Sequence, residues 1–508
     1  MMLAVDLGTT NCKVVALDQE CRIVHSARLA YPLSTIRQGW AEQDPEVWWS
    51  AVSQGIREVA TRVGKANIQA IGLSGQMHGL VALDARRRVL RPAILWNDQR
   101  AEPQCQEIYA AVGGPEALAA LTGNAMLPGY VGGKLLWLRQ HEPELFAHIR
   151  SILLPKDFIR LRLCGECATD FSDASGTGLL DVRERAWATR LLDRLGIPRE
   201  WLPTCLESQD LAGRLQSSLA DELALPAGIP VIAGGGDAVM QTVGAGVVKE
   251  DDVLVVIGTG GNVTITTRTF PRLPTPNAQV FCHVVPDCWV TMGVTLNAGN
   301  ALRWYREVYR QRASSAGHEQ DAYAALTQLA EASPPGARGL VFLPYLQGER
   351  CPHADPNARG SLIGLSLQTQ ESDIVRSIME GVAMSLVDVF HALGRGAAPR
   401  GRVVASGGGA ASRTWRQVVA DVFDRNVVTR EASEDASAVG AAIVAGVALR
   451  VWGSAEEAAS QVRITSTLEP DRDRAARYRE LFRVYQSLYS ELRRSFDALA
   501  SFASARAA

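Results

Sequence analysis

The sequence has 508 residues, of which 47% are hydrophobic and 21% charged, and its formal net charge is -2. A balance of 52 basic and 54 acidic side chains gives no electrostatic reason to expect a nucleic acid as partner. No apolar run approaches the roughly 18 residues of a membrane span, and Asp6 interrupts the N-terminal segment too early for a signal peptide. We therefore expect a cytoplasmic globular protein.

The chain opens with a predicted β-hairpin, in which apolar residues 3–7 and 14–17 flank a turn of glycine and threonine. Asp6 ends the first strand, where a buried carboxylate needs a compensating partner such as a magnesium ion or its waters. The turn, Gly8, Thr9 and Thr10, offers N–H groups and hydroxyls to phosphate oxygens, and Lys13 could meet a terminal phosphate. The alternative is an Asp that only caps a tight turn.

A helix is predicted to begin at Asp44, because a capping Asp precedes Pro45 and Glu46. Its apolar residues then recur at helical spacing up to Val63. The short apolar run 70–73 follows and ends in Ser74, which predicts a strand whose end lies at a cleft.

Three consecutive glycines, Gly234, Gly235 and Gly236, separate the apolar run 230–233 from Asp237. Glycines weaken a strand but allow a ligand to approach the backbone closely. A carboxylate in that place can accept a proton from a bound hydroxyl, so Asp237 is a candidate general base. The alternative, an Asx-type turn on the surface, fits the apolar run poorly.

A second hairpin is predicted in the middle of the chain, with strands 253–257 and 263–266 around residues 258–261. It repeats the first hairpin 250 residues later, which indicates two similarly built halves. Val256 stands where the first hairpin has Asp6. A further apolar run, 403–405, leads into a fourth glycine cluster, 406–409, and all four clusters could converge on one cleft of an α/β fold.

A helical stripe near the C-terminus completes the predicted elements; it consists of Leu481, Tyr485, Leu488, Leu492, Phe496 and Leu499. We expect an N-terminal domain over residues 1–245, a C-terminal domain over 246–490 and a helix end with a fraying tail over 491–508. The hinge is predicted where glycines and charges follow each other at 243–252.

Nine cysteines are scattered along the chain, and only Cys164 and Cys167 have CxxC spacing. A zinc site would need a second pair of ligands at suitable spacing, so we interpret the cysteines as packing or surface thiols. The sequence has no P-loop signature, no dinucleotide-binding glycine motif after the first strand and no GxSxG elbow.

These motifs together resemble the FGGY carbohydrate kinases, which belong to the actin, Hsp70 and sugar-kinase superfamily. The resemblance rests on the segments DLGTT, GGGD, IGTGG and SGGGA and on the C-terminal signature from Gly360 to Glu380. The mid-chain signature is present in part, in the segment from Lys134 to Leu138, and Val131 just before it is a mild departure. It implies an α/β fold of two similar actin/Hsp70-like (ribonuclease H-like) domains with a cleft between them.

Within the family the likeness is greatest to the xylulokinases, through six segments: Glu42–Pro45, Gln76–Gly79, Trp96–Asp98, Leu153–Asp157, Phe342–Leu346 and Gly348–Arg350. It implies phosphorylation of a pentulose, D-xylulose first, by ATP with Mg²⁺, and a homodimer. Kinases for ribulose, ribitol or arabinitol are the alternatives within the family, and a non-catalytic regulator on the same scaffold is the alternative outside it.

The resemblance also implies a role for each matching residue. Asp237 is the general base and Asp6 helps to hold the magnesium–phosphate group. The nucleotide is expected to contact Gly8, Thr9, Thr10, Lys13, Gly258, Thr259, Gly408 and Gly409, with the last two beside the adenine. The sugar is expected to contact Gln76, Met77, His78, Trp96 and Asp98.

One residue departs from the xylulokinase pattern. Those enzymes usually have Asn after the catalytic Asp, and that side chain helps to hold the sugar, whereas this chain has Ala238. A site built around hydrogen bonds to hydroxyl groups discriminates strongly through those bonds. The identity of the sugar is therefore open, while the phosphoryl transfer does not depend on this position.

Overall fold

The computed structural model describes residues 1–271, 275, 277–310, 319–394 and 401–504. The strands of this part of the chain are β1 (Met2–Leu7), β2 (Asn11–Leu17), β3 (Ile23–Ala30), β4 (Glu42–Gln43), β5 (Ala70–Gly75), β6 (Val81–Leu83), β7 (Ala93–Ile94), β8 (Ser151–Leu153), β9 (Ala168–Asp170), β10 (Leu180–Asp181), β11 (Ala186–Trp187), β12 (Thr204–Leu206), β13 (Leu211–Arg214), β14 (Pro230–Ile232), β15 (Gly235–Gly236), β16 (Val253–Ile257), β17 (Gly261–Thr267), β18 (Gln279–Cys282), β19 (Trp289–Thr295), β20 (Val341–Leu343), β21 (Ser361–Ile363), β22 (Val403–Ser406), β23 (Val427–Arg430) and β24 (Ile464–Leu468).

The α-helices of the same residues are α1 (Pro45–Val63), α2 (Glu102–Val112), α3 (Pro115–Thr122), α4 (Val131–His141), α5 (Pro143–His148), α6 (Pro155–Cys164), α7 (Phe171–Ala174), α8 (Thr189–Leu195), α9 (Ser217–Ala220), α10 (Asp237–Gly244), α11 (Gly299–Tyr305), α12 (Glu319–Glu331), α13 (Glu371–Ala392), α14 (Arg413–Phe423), α15 (Ala436–Ala448), α16 (Ala455–Gln461) and α17 (Arg472–Ser504).

The first half of the chain builds a mixed sheet in the order β13-β14-β5-β1-β2-β3, with β15 as an additional partner of β5. Strands β1, β2 and β3 are antiparallel neighbours, whereas β5 runs parallel to both β1 and β14. The predicted hairpin is confirmed, with Asp6 opposite Lys13 on β2 and opposite Ser74 on β5.

The second half builds a sheet in the order β18-β19-β17-β16-β22-β23-β24, in which six strands repeat the order of the first sheet and β18 is added at one edge. Here β16, β17 and β22 take the places that β1, β2 and β5 have in the first sheet, and their strand directions match. Val256 lies opposite Ser406, as Asp6 lies opposite Ser74. The prediction of two similarly built halves is confirmed.

Helix α1 forms as its sequence predicts. The side chain of Asp44 accepts a hydrogen bond from the backbone N–H of Glu46, and Pro45 occupies the first turn. Trp48, Val52 and the other apolar residues of its inner face are buried against strands β2 and β3. A helix gains little stability from its own hydrogen bonds, so the burial of this apolar face supplies most of the stability of α1.

The C-terminal helix α17 differs in part from its predicted stripe. Tyr485 and Phe496 are buried, and they are joined by Tyr478 and Phe482, which the predicted stripe did not include. Leu499 is 57% exposed, so the buried face ends near Phe496. Helix α17 also runs through residue 491 without a break. The predicted domain limits stay predictions, and residues 505–508 of the predicted tail lie outside the described residues.

Two helices, α10 from the first half and α15 from the second, cross at the centre of the molecule. A β-carbon on Gly244 would lie 1.9 Å from the carbonyl oxygen of Ala436, and one on Gly440 would lie 2.1 Å from that of Met240. The two backbones are therefore in direct contact, which only glycine permits. Helix α15 also packs on β1 and β5, so it brings the second half against the first sheet.

All nine cysteines are free thiols, and burial raises the pKa of both Cys164 and Cys167. Within the described ranges, no group of three or more His, Cys, Asp or Glu side chains could hold a metal ion. No helix in these ranges has the length and apolar character to cross a membrane.

Candidate active site

The turn between β1 and β2 is tight, and its residues are held from several directions. The backbone N–H of Gly8 donates to the carbonyl oxygen of Asn11 at 3.0 Å. The hydroxyl of Thr9 donates to Gln76 at 3.2 Å and accepts from the indole N–H of Trp96 at 2.9 Å. Thr10 is exposed. The turn is thus fixed to residues predicted to contact the sugar.

Asp6 lies at the base of this turn. Its Oδ1 accepts a hydrogen bond from the hydroxyl of Ser74 at 2.9 Å, across the pair of parallel strands. Burial raises the pKa of Asp6, while the Ser74 hydroxyl and the Lys13 ammonium group oppose that shift. A carboxylate in these surroundings is stabilised by any further positive charge that enters the cleft.

Lys13 reaches from the first half of the chain to the second. Its ammonium group lies 3.0 Å from Asp435 and also donates to the carbonyl oxygen of Glu434. Arg28 approaches the same carboxylate at 3.5 Å. No local pattern indicates this contact, because Asp435 is more than 400 residues away from Lys13.

Asp237 is the first residue of helix α10, directly after the glycines of β15. Its Oδ1 accepts the backbone N–H of Ala238 at 2.7 Å, and its carbonyl oxygen accepts the hydroxyl of Ser437 at 3.2 Å. Burial, followed by the negative charge of Asp6, raises the pKa of Asp237 to about 7. A carboxyl group poised near neutral pH is suited to take up and release a proton.

The three glycines before Asp237 each meet another part of the protein. Gly234 has a φ of +74°, and a β-carbon there would lie 2.0 Å from the carbonyl oxygen of Leu73. A β-carbon on Gly235 would lie 2.7 Å from the hydroxyl of Ser172, and one on Gly236 would lie 2.6 Å from the side chain of Met77. The glycines therefore let the strand pack closely among its neighbours, which is a different reason from the predicted approach of a ligand.

The segment after β5 carries three residues predicted to contact the sugar. Gln76 is buried, and its amide donates to Gln43 at 3.3 Å while its oxygen accepts from Thr9. Met77 is buried between Gly176 and Gly236.

His78 has a φ of +68°, which is unusual for a residue other than glycine. The buried ammonium group of Lys134 holds its carbonyl oxygen at 2.8 Å, and its ring nitrogen Nδ1 lies 2.7 Å from the carbonyl oxygen of Gly176. That carbonyl can only accept, so Nδ1 carries the proton and Nε2 is an acceptor. Burial lowers the pKa of His78 to about 3, and the ring is therefore neutral at pH 7.

Trp96 and Asp98 are also predicted to line the sugar pocket, and the two side chains differ in exposure. The side chain of Trp96 is 43% exposed and donates to Thr9. Asp98 is fully buried, and both of its oxygens bind Arg100, at 2.9 and 2.8 Å. Its Oδ2 also accepts the backbone N–H of Ala41 at 2.6 Å. Asp98 thus anchors the loop that carries Trp96.

The two glycine turns of the second half lie side by side. The carbonyl oxygens of Gly258 and Thr259 accept backbone N–H groups from the start of helix α11, and Thr259 is exposed. A β-carbon on Gly409 would lie 2.3 Å from the side chain of Ile257, at the end of β16, whereas one on Gly408 would meet no atom within 4 Å. Gly408 therefore faces open space beside the second hairpin.

Strand β18 closes one side of the site and was not predicted to do so. Gln279 donates to the hydroxyl of Tyr130 and accepts from Arg350 at 3.1 Å. The rings of Tyr130 and Phe281 lie 4.7 and 6.1 Å from the ring of His78. Because these contacts join distant parts of the chain, no local pattern could have indicated them.

Comparison with known proteins gives one family for the whole arrangement. The model of the FGGY family of carbohydrate kinases matches with its N-terminal domain over residues 1–244 and with its C-terminal domain over residues 253–449. The xylulose kinase of Escherichia coli (strain K12) is 36% identical over 495 residues, which cover 97% of this chain and 99% of that protein.

The xylulose kinase of Bacillus subtilis (strain 168) is 37% identical over 510 residues and 99% of both chains. The gluconokinase of the same organism is 30% identical over 509 residues, covering 99% of this chain and 98% of that protein. A crystal structure of a xylulose kinase from Brucella ovis superposes with a TM-score of 0.88 at 35% identity, covering 97% of this chain and 99% of the other.

Proposed function

Because this chain belongs to the FGGY family of carbohydrate kinases, we propose that it transfers the γ-phosphoryl group of ATP to a hydroxyl of a pentulose, with D-xylulose as the first candidate. The observation that carries the proposal is the pair of acids in the cleft: Asp237 has a pKa of about 7, raised in part by the charge of Asp6. The likeness to xylulose kinases over nearly the full length supports the choice of sugar.

In the proposed reaction Asp237 accepts the proton of the attacking hydroxyl. The oxygen of that hydroxyl then forms a bond to the γ-phosphorus, and the bond from the γ-phosphorus to the bridging oxygen of ADP breaks. Phosphoryl transfer asks the protein mainly for positioning and for neutralisation of charge. We assign the first task to Gln76, Met77 and His78 around the sugar.

The second task falls to the groups around the phosphates. We assign it to Lys13, whose ammonium group can reach a terminal phosphate, and to the backbone turns at Gly8–Thr10, Gly258–Thr259 and Gly408–Gly409, with adenine beside the last. We place Trp96 at the edge of the sugar pocket, and Asp98 anchors the loop that carries Trp96.

A magnesium ion fits this site as part of the nucleotide complex. Magnesium is usually bound through one or two carboxylates together with substrate phosphates. The described residues contain no ready cage of three or more ligands, and Asp6 supplies one carboxylate at the phosphate turn. When bound, the ion neutralises phosphate charge.

A second candidate is a kinase for a related ketose, polyol or aldonate. Ala238 favours this second candidate, because the side chain beside the base offers no hydrogen bond to the sugar. The gluconokinase relative, at 30% identity, belongs to the same family. A non-catalytic regulator on this scaffold would need no base with a pKa near neutrality, which is why we rank it below either kinase. The expected homodimer stays a prediction.

One experiment separates these functions. A coupled assay of ADP release, run with ATP and D-xylulose, D-ribulose, ribitol, D-arabinitol or D-gluconate, should give the highest kcat/KM with D-xylulose. Asp237→Ala should lose at least about a thousandfold in kcat and still bind the sugar in calorimetry. Turnover retained by Asp237→Ala would remove Asp237 from the mechanism, and no turnover by the wild type with any acceptor would favour the regulator.

A further inference from the structure

A buried network of charged side chains lies behind the strand that leads to Asp237 and takes no direct part in the proposed chemistry. The ammonium group of Lys156 lies 2.6 Å from Asp157, 2.9 Å from Asp170 and 3.3 Å from Asp173. Arg160 joins it at 2.9 Å from Asp157. All five side chains are at most 1% exposed. Water does not reach charges buried this deeply, so each charge must be compensated by neighbouring charges and hydrogen bonds of the protein.

The network holds the backbone of residues 233–236, here called the glycine strand, at two points. Arg160 donates to the carbonyl oxygen of Ala233, at the start of the strand. At its end, the hydroxyl of Ser172 accepts the backbone N–H of Gly236 at 3.1 Å and donates to Asp170 at 2.5 Å. Gly236 is the residue directly before Asp237.

The direction of these two hydrogen bonds is fixed by chemistry. A backbone N–H can only donate, so the Ser172 oxygen accepts the N–H of Gly236 and the hydroxyl proton of Ser172 points to Asp170. Lys156 and Ser208, whose hydroxyl donates to Asp170 at 2.8 Å, in turn hold the carboxylate of Asp170 in place.

Ser172 also limits the strand by contact. A β-carbon on Gly235 would lie 2.7 Å from its hydroxyl oxygen, so the strand already lies as close to this side chain as a glycine permits. On the other side of the strand, Met77 fills the space beside Gly236. The strand is therefore fixed between the buried network and a predicted sugar contact.

We propose that Ser172 is a positioning residue for Asp237, through the hydrogen bond to Gly236, and that Asp170 and Lys156 set the orientation of its hydroxyl. The proposal rests on the proposed role of Asp237 as general base. A base must lie within hydrogen-bond reach of the proton that it accepts. A displacement of about 1 Å at the reacting group can lower the rate by about a hundredfold.

The chain offers a matched control, because the hydroxyl of Ser208 donates to the same oxygen of Asp170, while Ser208 meets the glycine strand through its backbone carbonyl oxygen, which accepts the N–H of Gly234 at 2.9 Å and is kept in an alanine variant. Ser172→Ala and Ser208→Ala each remove one buried hydroxyl from that oxygen, so a merely structural role predicts similar loss of Tm and similar kinetics. We expect Ser172→Ala to lower kcat by about ten- to a hundredfold. Ser208→Ala should keep kcat within about twofold, and calorimetry should give both variants the Kd of the wild type for ATP.

Two further variants make each outcome decisive. Gly235→Ala, which places a methyl group against the Ser172 hydroxyl, should show the same loss of kcat at unchanged Kd for ATP, and it replaces Ser172→Ala if that variant does not fold. Equal kcat values for Ser172→Ala and Ser208→Ala, or a normal kcat in folded Gly235→Ala, would overturn the positioning role. Asp237→Asn is measured in parallel: if it retains turnover, the proposed role of Asp237 as general base fails, whereas loss of turnover in Asp237→Asn together with equal kcat values for the two serine variants removes only the inference.

Discussion

Lys13 and Asp435 form an ion pair of 3.0 Å that joins the first sheet to the segment before helix α15. The same ammonium group is the one that the proposed mechanism gives to the terminal phosphate. Asp435 and a phosphate would therefore compete for Lys13. The pair also holds the two halves together beside Asp6, whose pKa Asp435 helps to raise.

Removal of Asp435 should strengthen nucleotide binding. We expect Asp435→Asn to lower the KM for ATP by about two- to fivefold, since a partly exposed ion pair is worth less than about 1 kcal/mol. Lys13→Met should raise the KM for ATP by about tenfold or more. Arg28→Gln is the control, because Arg28 is more exposed and lies farther from Asp435. An increase of the KM for ATP in Asp435→Asn would instead indicate that this carboxylate helps to bind the nucleotide.

The pH dependence of the reaction should follow Asp237. A general base must be ionised, and the pKa of Asp237 is about 7, so kcat/KM for the sugar should fall about tenfold per unit as the pH decreases below that value. His78 cannot cause this fall, because burial lowers its pKa to about 3. Lys134, whose pKa burial lowers to about 7, would act with the opposite sign, since its protonated form binds the carbonyl oxygen of His78 more strongly.

The control for this profile is Glu349, a buried acid whose pKa is also raised to about 7 by burial. It accepts hydrogen bonds from Thr295 and Leu296 in the second half of the chain. Glu349→Gln should leave the acid limb of the profile in place. Loss of that limb in the variant would assign it to Glu349 in place of Asp237.

The local motifs of the site could be predicted from the sequence because each is a short apolar run followed by a glycine turn. The hairpins, the helix at Asp44 and the repeat after 250 residues all depend on neighbouring residues, whose patterns the chain displays directly. The order of six strands that the two sheets share is consistent with that repeat.

The contacts between distant segments could not be predicted in this way. Three contacts depend on the folded backbone: the ion pair of Lys13, the hydrogen bond from the N–H of Gly236 to Ser172, and the contact of Gln279 with Tyr130. Asp98 illustrates the limit: the family resemblance implied a sugar contact, but Arg100 binds both of its oxygens. A carboxylate in a sequence shows charge, and only the fold shows which partner neutralises it.

The two glycines beside the predicted adenine pocket should respond differently to the same substitution. A β-carbon on Gly408 meets no atom within 4 Å, so Gly408→Ala should keep the Tm and raise the KM for ATP only. Gly409→Ala would place a methyl group 2.3 Å from Ile257 and should cost about 1–3 kcal/mol of stability. Thermal unfolding and ATP kinetics measure both. A Gly408→Ala enzyme with an unchanged KM would place the adenine elsewhere.

Trp96 should couple the two substrates. Its indole N–H binds the hydroxyl of Thr9 at 2.9 Å, and that hydroxyl also binds Gln76, so the phosphate turn and the sugar segment share one hydrogen-bonded chain. Trp96→Phe keeps most of the ring and loses the donor. We expect the KM values for both ATP and sugar to rise by about two- to tenfold, the value of one hydrogen bond.

The matched control is Trp289→Phe, which also removes an indole donor, here to the carbonyl oxygen of Val182 at 3.0 Å. It should leave both KM values within about twofold of the wild type. If Trp96→Phe changed the KM for the sugar alone, the hydrogen bond to Thr9 would carry no coupling.

Ala238 offers the most direct test of sugar choice. It follows Asp237 in the first turn of helix α10 and is half-buried, at the place where xylulokinases usually have Asn. Ala238→Asn should lower the KM for D-xylulose by about two- to tenfold, because an amide can donate to a sugar hydroxyl. Its cost to helix stability is below about 1 kcal/mol. Ala238→Leu adds bulk without a donor and should raise the KM for every acceptor. If Ala238→Asn changed the KM for all five acceptors by the same factor, position 238 would not determine the sugar.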